Sequence, residues 1–343
     1  MQKIDSLKFE VSKHLVSYDP VNYNKTVNEI YDCEYTSYKL RDNLKQSGLN
    51  GIFVNDTKCI IQISSKLVPE NYYDMMNINN IERYFDKINS TGLIEFNVKS
   101  VIENSNVLSC DITNNIPDIE NVATYINPLL IFKVNDKFIC KHYKNESISF
   151  TKNLKKLAGG EHLKLYDKFT ELNNYRNKEN KVFVKAIDLE NFKNVLRVES
   201  RFNNAKLMRK YFKIKKDVSE LSLLNILNSN EKVNYNILDK ITNIKNIDVK
   251  NFKDSKLLME MREQKIRRAT IENRAGKIAI IKSFNFDIEQ IRNYINIGST
   301  ETSNNSAVIT EYKELIKSLK NDVDTFTSID ERVNEIKSYL KVA

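Results

Sequence analysis

The sequence predicts an α+β protein: two related α/β halves built on antiparallel sheets, followed by a mostly helical C-terminal region. Three observations carry this. Up to about residue 215, short runs rich in β-branched and aromatic residues end in Asn, Asp, Ser or Gly, the punctuation of strands and turns. Between them lie segments with apolar residues every three or four positions, as amphipathic helices have. Beyond residue 216 that helical spacing dominates. With 41% hydrophobic and 29% charged residues among 343, the chain has the composition and length for a real core and two domains. We therefore expect a first domain over residues 1–215 and a helical region over 216–343 that binds DNA or a partner.

In chain order, the expected strands are GIFVND, TKCIIQIS, LIEFNVKSVIE, NVLSCDIT and FICKHY, with helices at VNYNKTVNEIYD, NINNIERYFDKIN and IENVATYINPLLIF, the last broken near Pro128. A second block repeats the theme: KNESISFTKN, a turn at Gly159 and Gly160, then EHLKLYDKFTEL, KVFVKAI and NVLRVESRF. The basic stretch NAKLMRKYFKIKK closes it. After it, SELSLLNILNS, YNILDKITNI, SKLLMEMREQKIRRATIENR, DIEQIRNYIN, AVITEYKELIKSLK and DERVNEIKSYL read as helices, with residues 298–306 as a polar linker. No sequence repeat is evident.

The N-terminal segment lacks the long apolar core of a secretory signal, and no later run reaches the length of a membrane span. A protein working in the cytoplasm of a host cell, away from membranes, is expected. Cys33, Cys59, Cys110 and Cys140 are scattered, with no CxxC, and His14, His142 and His162 are far apart, which argues against a zinc site. The motifs GxxxxGK[ST], GxSxG, HExxH and GxGxxG are absent, so ordinary nucleotide hydrolases and proteases fall away. A net charge of +9 suits a polyanionic partner.

Polar residues on strands that ought to be buried are the distinctive feature. Extended backbone through EHLKLYDK puts Lys164, Tyr166 and Lys168 on one face and Leu163, Leu165 and Asp167 on the other. In VLRVESRF, alternation sets Arg197, Glu199 and Arg201 together, opposite the apolar Leu196, Val198 and Phe202. Asp111 sits in LSCDITNN between apolar neighbours, and Gln62 is a lone polar residue in CIIQIS. Each fits a plain structural role equally well: a packed tyrosine, an ion-paired strand face, a strand-end aspartate.

Taken in order, these segments resemble the replication initiators of filamentous phages and, more distantly, rolling-circle plasmid initiators. The matching stretches are IQISSKLVPENYY, SCDIT, YDKFTEL and LRVESRFNNAKLMRKYF, covering roughly residues 50–215. Two positions depart from the family pattern: Gln62 stands where a glutamate is frequent, and Cys110 where a basic residue often precedes the aspartate. The resemblance implies that Tyr166 is a nucleophile, Lys168 its cationic companion, and Asp111 and Glu199, with Gln62 as a neutral third, ligands of Mg²⁺ or Mn²⁺. Glu171 keeps the motif's glutamate without an assigned role.

Such a protein nicks origin DNA, holds a 5′-phosphotyrosine, and religates the displaced strand. A phenol with an ordinary pKa near ~10 needs help to ionise, and Lys164 and Lys168 could give it. A carboxylate-bound cation would neutralise charge on the phosphodiester, and Arg197 or Arg201 could grip the phosphate. Lys206, Arg209 and Lys210, interleaved with Tyr211 and Phe212, could hold DNA, as could Arg262, Lys265, Arg267 and Arg268. A host helicase and polymerase are expected partners. Two other readings remain: a catalytically silent origin-binding protein, and a relaxase or transposase using the same tyrosine chemistry.

Overall fold

Strand-forming segments collect into one ten-stranded antiparallel sheet in the order β3-β4-β5-β6-β1-β8-β12-β11-β10-β9. The computed structural model describes residues 1–30, 33–126, 129, 138–144, 146–152, 160–174, 183–215, 221–242, 267–284, 286–298, 302–321 and 323–342. The sheet strands are β1 (Ile4–Ser12), β3 (Tyr23–Ile30), β4 (Cys33–Leu40), β5 (Leu49–Val54), β6 (Lys58–Ser64), β8 (Asn106–Ile116), β9 (Phe138–Tyr143), β10 (Ser147–Lys152), β11 (His162–Asp167) and β12 (Leu196–Phe202). Two short strands, β2 (Val16–Ser17) and β7 (Glu95–Phe96), pair separately.

The topology contains a repeat that the residues do not advertise. In each half the first strand is central, the chain leaves for the outer edge, and a four-strand meander returns it beside its start: β1 then β3 to β6, β8 then β9 to β12. The halves join through the antiparallel β1–β8 pair. Aligning β5 with β11 end to end sets Phe53 at the position of Tyr166 and Gly51 at that of Lys164. Gly51 pairs with Gln62 as Lys164 pairs with Glu199, so Gln62 is the counterpart of Glu199 in the other half.

Side-chain alternation assigns the two faces. Leu7, Phe9, Cys59, Ile61, Cys110, Ile112, Leu163, Leu165, Val198 and Phe202 are buried in one core. Against that face pack α1 (Ile81–Asn89), α2 (Val98–Asn104), α5 (Ala205–Phe212), α6 (Leu223–Leu227) and α7 (Val233–Ile241), after the short α3 (Ala123–Ile126) and α4 (Lys168–Asn173). Phe9 stacks on Phe85 of α1 at 5.1 Å between centroids, and Phe202 meets Tyr211 and Phe212 of α5. The opposite face carries the polar series.

The core does not stop at residue 215. Leu223, Ile237 and Ile241 belong to it, as do Val333, Ile336 and Leu340 of the last helix, α11 (Val323–Val342). By contrast, α8 (Arg268–Ser283), α9 (Ile288–Gly298) and α10 (Thr302–Asn321) close over a cluster of their own, with Ile278, Ile281, Ile291, Tyr312 and Leu315 at its centre. The polar linker expected at 298–306 is helical from Thr302. Pro128, Gly159, Arg262 and Lys265 lie outside the described residues.

Four local expectations are corrected. VNYNKTVNEIYD forms β3, pairing with β4 from Tyr23–Leu40 to Ile30–Cys33; as an edge strand it exposes residues 24–27 whichever way they point, so its polar pattern does not alternate. LIEFNVKSVIE gives only the short β7 before α2, which starts where the Asn97 side chain accepts from Ser100 N. Residues 183–185 of KVFVKAI make a helical turn. β11 ends at Asp167, whose carboxylate accepts from Thr170 N at 2.9 Å and starts α4, so Lys168 is the first residue of a helix.

Ahead of β11, Glu161 is buried on the helical side, with Lys210 Nζ of α5 at 3.0 Å and Lys240 of α7 also paired to it. Burial alone would raise its pKa, but the lysines bring it down to about 2. This stabilisation is present above the ordinary carboxylate pKa of 4.5 and is lost as pH falls towards 2. Glu161→Gln is expected to cost ~2–3 kcal/mol at neutral pH, the gap to wild type closing as the pH approaches 2. Urea titrations of both proteins across that range measure it.

Candidate active site

On the polar face the strand registers stack side chains in rows. One row runs Ser64–Ser6–Asp111–Arg201, the next Thr113–Glu199–Lys164, and the third Asn115–Arg197–Tyr166. A bulge in β1 between Ile4 and Ser6 leaves Asp5 without a partner on β8 and turns it into the same space. These rows floor an open cavity of about 1000 Å³, lined among others by Asp5, Asp111, Lys164, Tyr166, Lys168, Glu199 and Arg201. Its far wall is the segment from Asp42 to Asn50. Gly48 lets that wall close on the turn at Ser65–Leu67: its φ is +84°, and a Cβ there would lie 2.0 Å from Leu67 N.

Tyr166 is 5% exposed, and its hydroxyl donates to Glu199 Oε2 at 3.1 Å. Burial, then the Glu199 charge, push its pKa well above 10, against the opposing Arg197, so the resting phenol is neutral. Glu199 is itself raised, by burial and by the charges of Asp5 and Asp111. The pair is thus a phenol poised on a carboxylate that readily takes a proton. The cations meet the ring rather than the hydroxyl: Lys164 Nζ lies 4.1 Å from the ring centroid and Lys168 Nζ 5.5 Å. Lys168 is buried and bonded to Glu171 at 2.7 Å, which gives that glutamate a partner, and burial followed by the Arg197 charge lowers the lysine's pKa.

The two arginines differ. Arg201 is half exposed and grips Asp111 through two 2.9 Å hydrogen bonds, with Glu199 Oε1 3.8 Å away. Arg197 is fully buried beneath the rings of Tyr72 and Phe192; its Nε donates to Asn115 at 2.9 Å, and its nearest acid is Asp5 at 3.8 Å. It is enclosed away from any phosphate. Its rings belong to a small apolar cluster of Tyr72, Leu172, Phe183 and Phe192 that buttresses the cavity on the polar side.

Tyr166, Lys164, Lys168, Asp111, Glu199 and Arg201 therefore share one cavity. Gln62 does not join them: it is exposed on β6, three strands from Glu199 or ~14 Å across the sheet. Lys206, Arg209 and Lys210 lie on the other side, because α5 packs on the face of Cys110 and Phe202, and Lys210 is engaged by Glu161. Asp5 is the site residue that sequence reasoning missed. Its carboxylate accepts from Ser65 Oγ; burial would raise its pKa, but Arg197, Lys168, Ser65 and Lys66 together hold it below the usual value.

Asp111 and Glu199 have the hard-oxygen chemistry of Mg²⁺ or Mn²⁺ ligands, and burial disfavours the charge on both. In this arrangement the Arg201 guanidinium supplies their counter-charge, and among the described residues no three His, Cys, Asp or Glu side chains form a group that could hold a metal ion. Cys59 and Cys110 are buried free thiols. No helix among the described residues is long and apolar enough to cross a membrane. Compared with protein-family models and with curated proteins, the chain matches none.

Proposed function

We propose that this chain is a phosphodiester strand transferase that works through a tyrosine nucleophile. More specifically, we read it as a rolling-circle replication initiator that nicks origin DNA of a phage or plasmid in the host cytoplasm. The observation that supports this most is the Tyr166–Glu199 hydrogen bond at 3.1 Å, set in an open cavity of about 1000 Å³. In this reading Glu199 takes the phenol proton and the Tyr166 oxygen attacks phosphorus. The tyrosyl O–P bond forms, the P–O3′ bond breaks, and the leaving 3′-oxygen takes up the proton. The stored phosphotyrosine is released when a 3′-hydroxyl attacks in reverse, which religates the strand.

Arg201, half exposed at the cavity wall, is the cation that can turn from Asp111 to a phosphate oxygen. A divalent cation, when bound, would be held by Asp111 and Glu199 and would offset charge on the phosphodiester. Host helicase and polymerase follow as partners of such an initiator. A silent origin-binding protein would need no phenol joined to a proton acceptor, which is why the catalytic reading is preferred. A relaxase or transposase would share the chemistry and differ in the element served.

The test incubates the full chain with a randomised single-stranded DNA library and Mn²⁺, then partitions denaturation-resistant adducts. Wild type is expected to yield adducts enriched in one sequence, and Tyr166→Phe none. No adduct from wild type, or equal yield from Tyr166→Phe, would overturn the reading.

A further inference from the structure

A second cavity, of about 210 Å³, opens on the same sheet face beside the first and shares Ser6, Asp111 and Arg201 with it. Its other polar walls are Lys8 of β1, Gln62 of β6, Ser109 of β8 and Asn203. The geometry points to a subsite for a backbone phosphate of the same single strand of DNA, flanking the phosphate at Tyr166; this rests on the reading of the chain as a DNA strand transferase.

Donors outnumber acceptors there. Lys8 has no ion-pair partner among the described residues, Gln62 and Asn203 offer amide N–H groups, and Ser6 and Ser109 offer hydroxyls. The one carboxylate, Asp111, stands against the Arg201 guanidinium, a cation that lines both cavities whichever group it pairs with. A site of cation, amides and hydroxyls fits an oxyanion that accepts in several directions, as a phosphodiester does.

Its location fits a flanking phosphate better than the reacting one. The cavity centres on β1 and β8, two to three strands from β11, which is ~10–15 Å from Tyr166. The internal repeat confines the phenol–carboxylate pair to one half. Where the second half has Tyr166 and Glu199, the first has Phe53 and Gln62, so the phenol–carboxylate pair is absent while the face stays polar. The reacting pair lies in the second half, the subsite straddles the β1–β8 seam where the halves meet, and the strand crosses the sheet between them.

The experiment measures binding of a long oligodeoxythymidylate to the full chain over a salt titration, for wild type, Lys8→Gln and Lys99→Gln. Lys99 is an exposed control on α2, on the helical side of the sheet. If Lys8 contacts a phosphate, Lys8→Gln weakens binding ~10-fold and makes the slope of log K against log salt shallower by about 0.7, while Lys99→Gln changes neither. An unchanged slope in Lys8→Gln, or equal losses in both variants, would overturn the subsite. If wild type forms no adduct yet the Lys8-specific slope change is found, the nicking chemistry fails and the subsite stands.

Discussion

Glu199→Gln is expected to slow formation of the covalent protein–DNA adduct by ~10²–10⁴-fold, the range for losing a positioned general base. The argument starts from the resting state of Tyr166. Burial and the neighbouring carboxylate hold its proton firmly, and the lysines expected to draw out a phenolate sit against its ring. Glu199 is the group that accepts from the hydroxyl, and a glutamine there keeps the hydrogen bond but cannot take the proton. The same substitution should raise thermal stability. Because the folded-state pKa of Glu199 is raised, its stabilising influence belongs to the protonated form and is lost as pH rises through that pKa; the charged form is a burden at neutral pH. A variant that gains melting temperature and loses adduct is the signature of a carboxylate kept for chemistry. The acid limb of the wild-type rate profile should likewise fall above the ordinary glutamate range. Single-turnover adduct yields across pH, with thermal melts of both proteins, check this. An adduct rate unchanged in Glu199→Gln would move the base elsewhere, with Glu171 and Asp5 the other carboxylates of the cavity whose charges reach the phenol.

Much of the cavity floor was legible because a strand's period of two is a strong local signal. Lys164 and Tyr166 against Leu163 and Leu165, and Arg197, Glu199 and Arg201 against Val198 and Phe202, occupy the faces that alternation assigns them. Alternation says nothing about which strand lies beside which. The family resemblance groups Gln62 with Glu199, and only the strand order separates them by three positions. The face on which α5 packs is equally a tertiary fact: the sequence does not say that the basic helix lies on the opposite side of the sheet from the polar cavity. Asp5 was concealed differently. SLKFEVS alternates yet is not among the expected strands, and Asp5 precedes that run and owes its direction to a bulge, which no periodicity marks. The strand order also exposes an internal repeat of topology that the residue types do not show.

Arg197→Met is expected to destabilise the fold by ~3–5 kcal/mol at neutral pH, the cost of leaving a buried charge without its partner. The guanidinium is fully enclosed, stacked against Tyr72 and Phe192, and its terminal nitrogens find no hydrogen-bond acceptor among the described residues, so its placement is electrostatic more than geometric. What it supplies is charge opposite Asp5, which Ser65 and two lysines hold only in part. Without it, the burial that raises the Asp5 pKa is no longer offset by the largest of the opposing charges. The deficit should therefore grow as pH rises through the new Asp5 pKa and shrink in acid, where the carboxyl is neutral. Adding Asp5→Asn to Arg197→Met should recover part of the loss, since removing both charges leaves neither stranded. Denaturant midpoints of wild type, both single variants and the double variant close the cycle. A further loss on adding Asp5→Asn would mean that Arg197 serves the packing of the aromatic cluster and not the charge of Asp5.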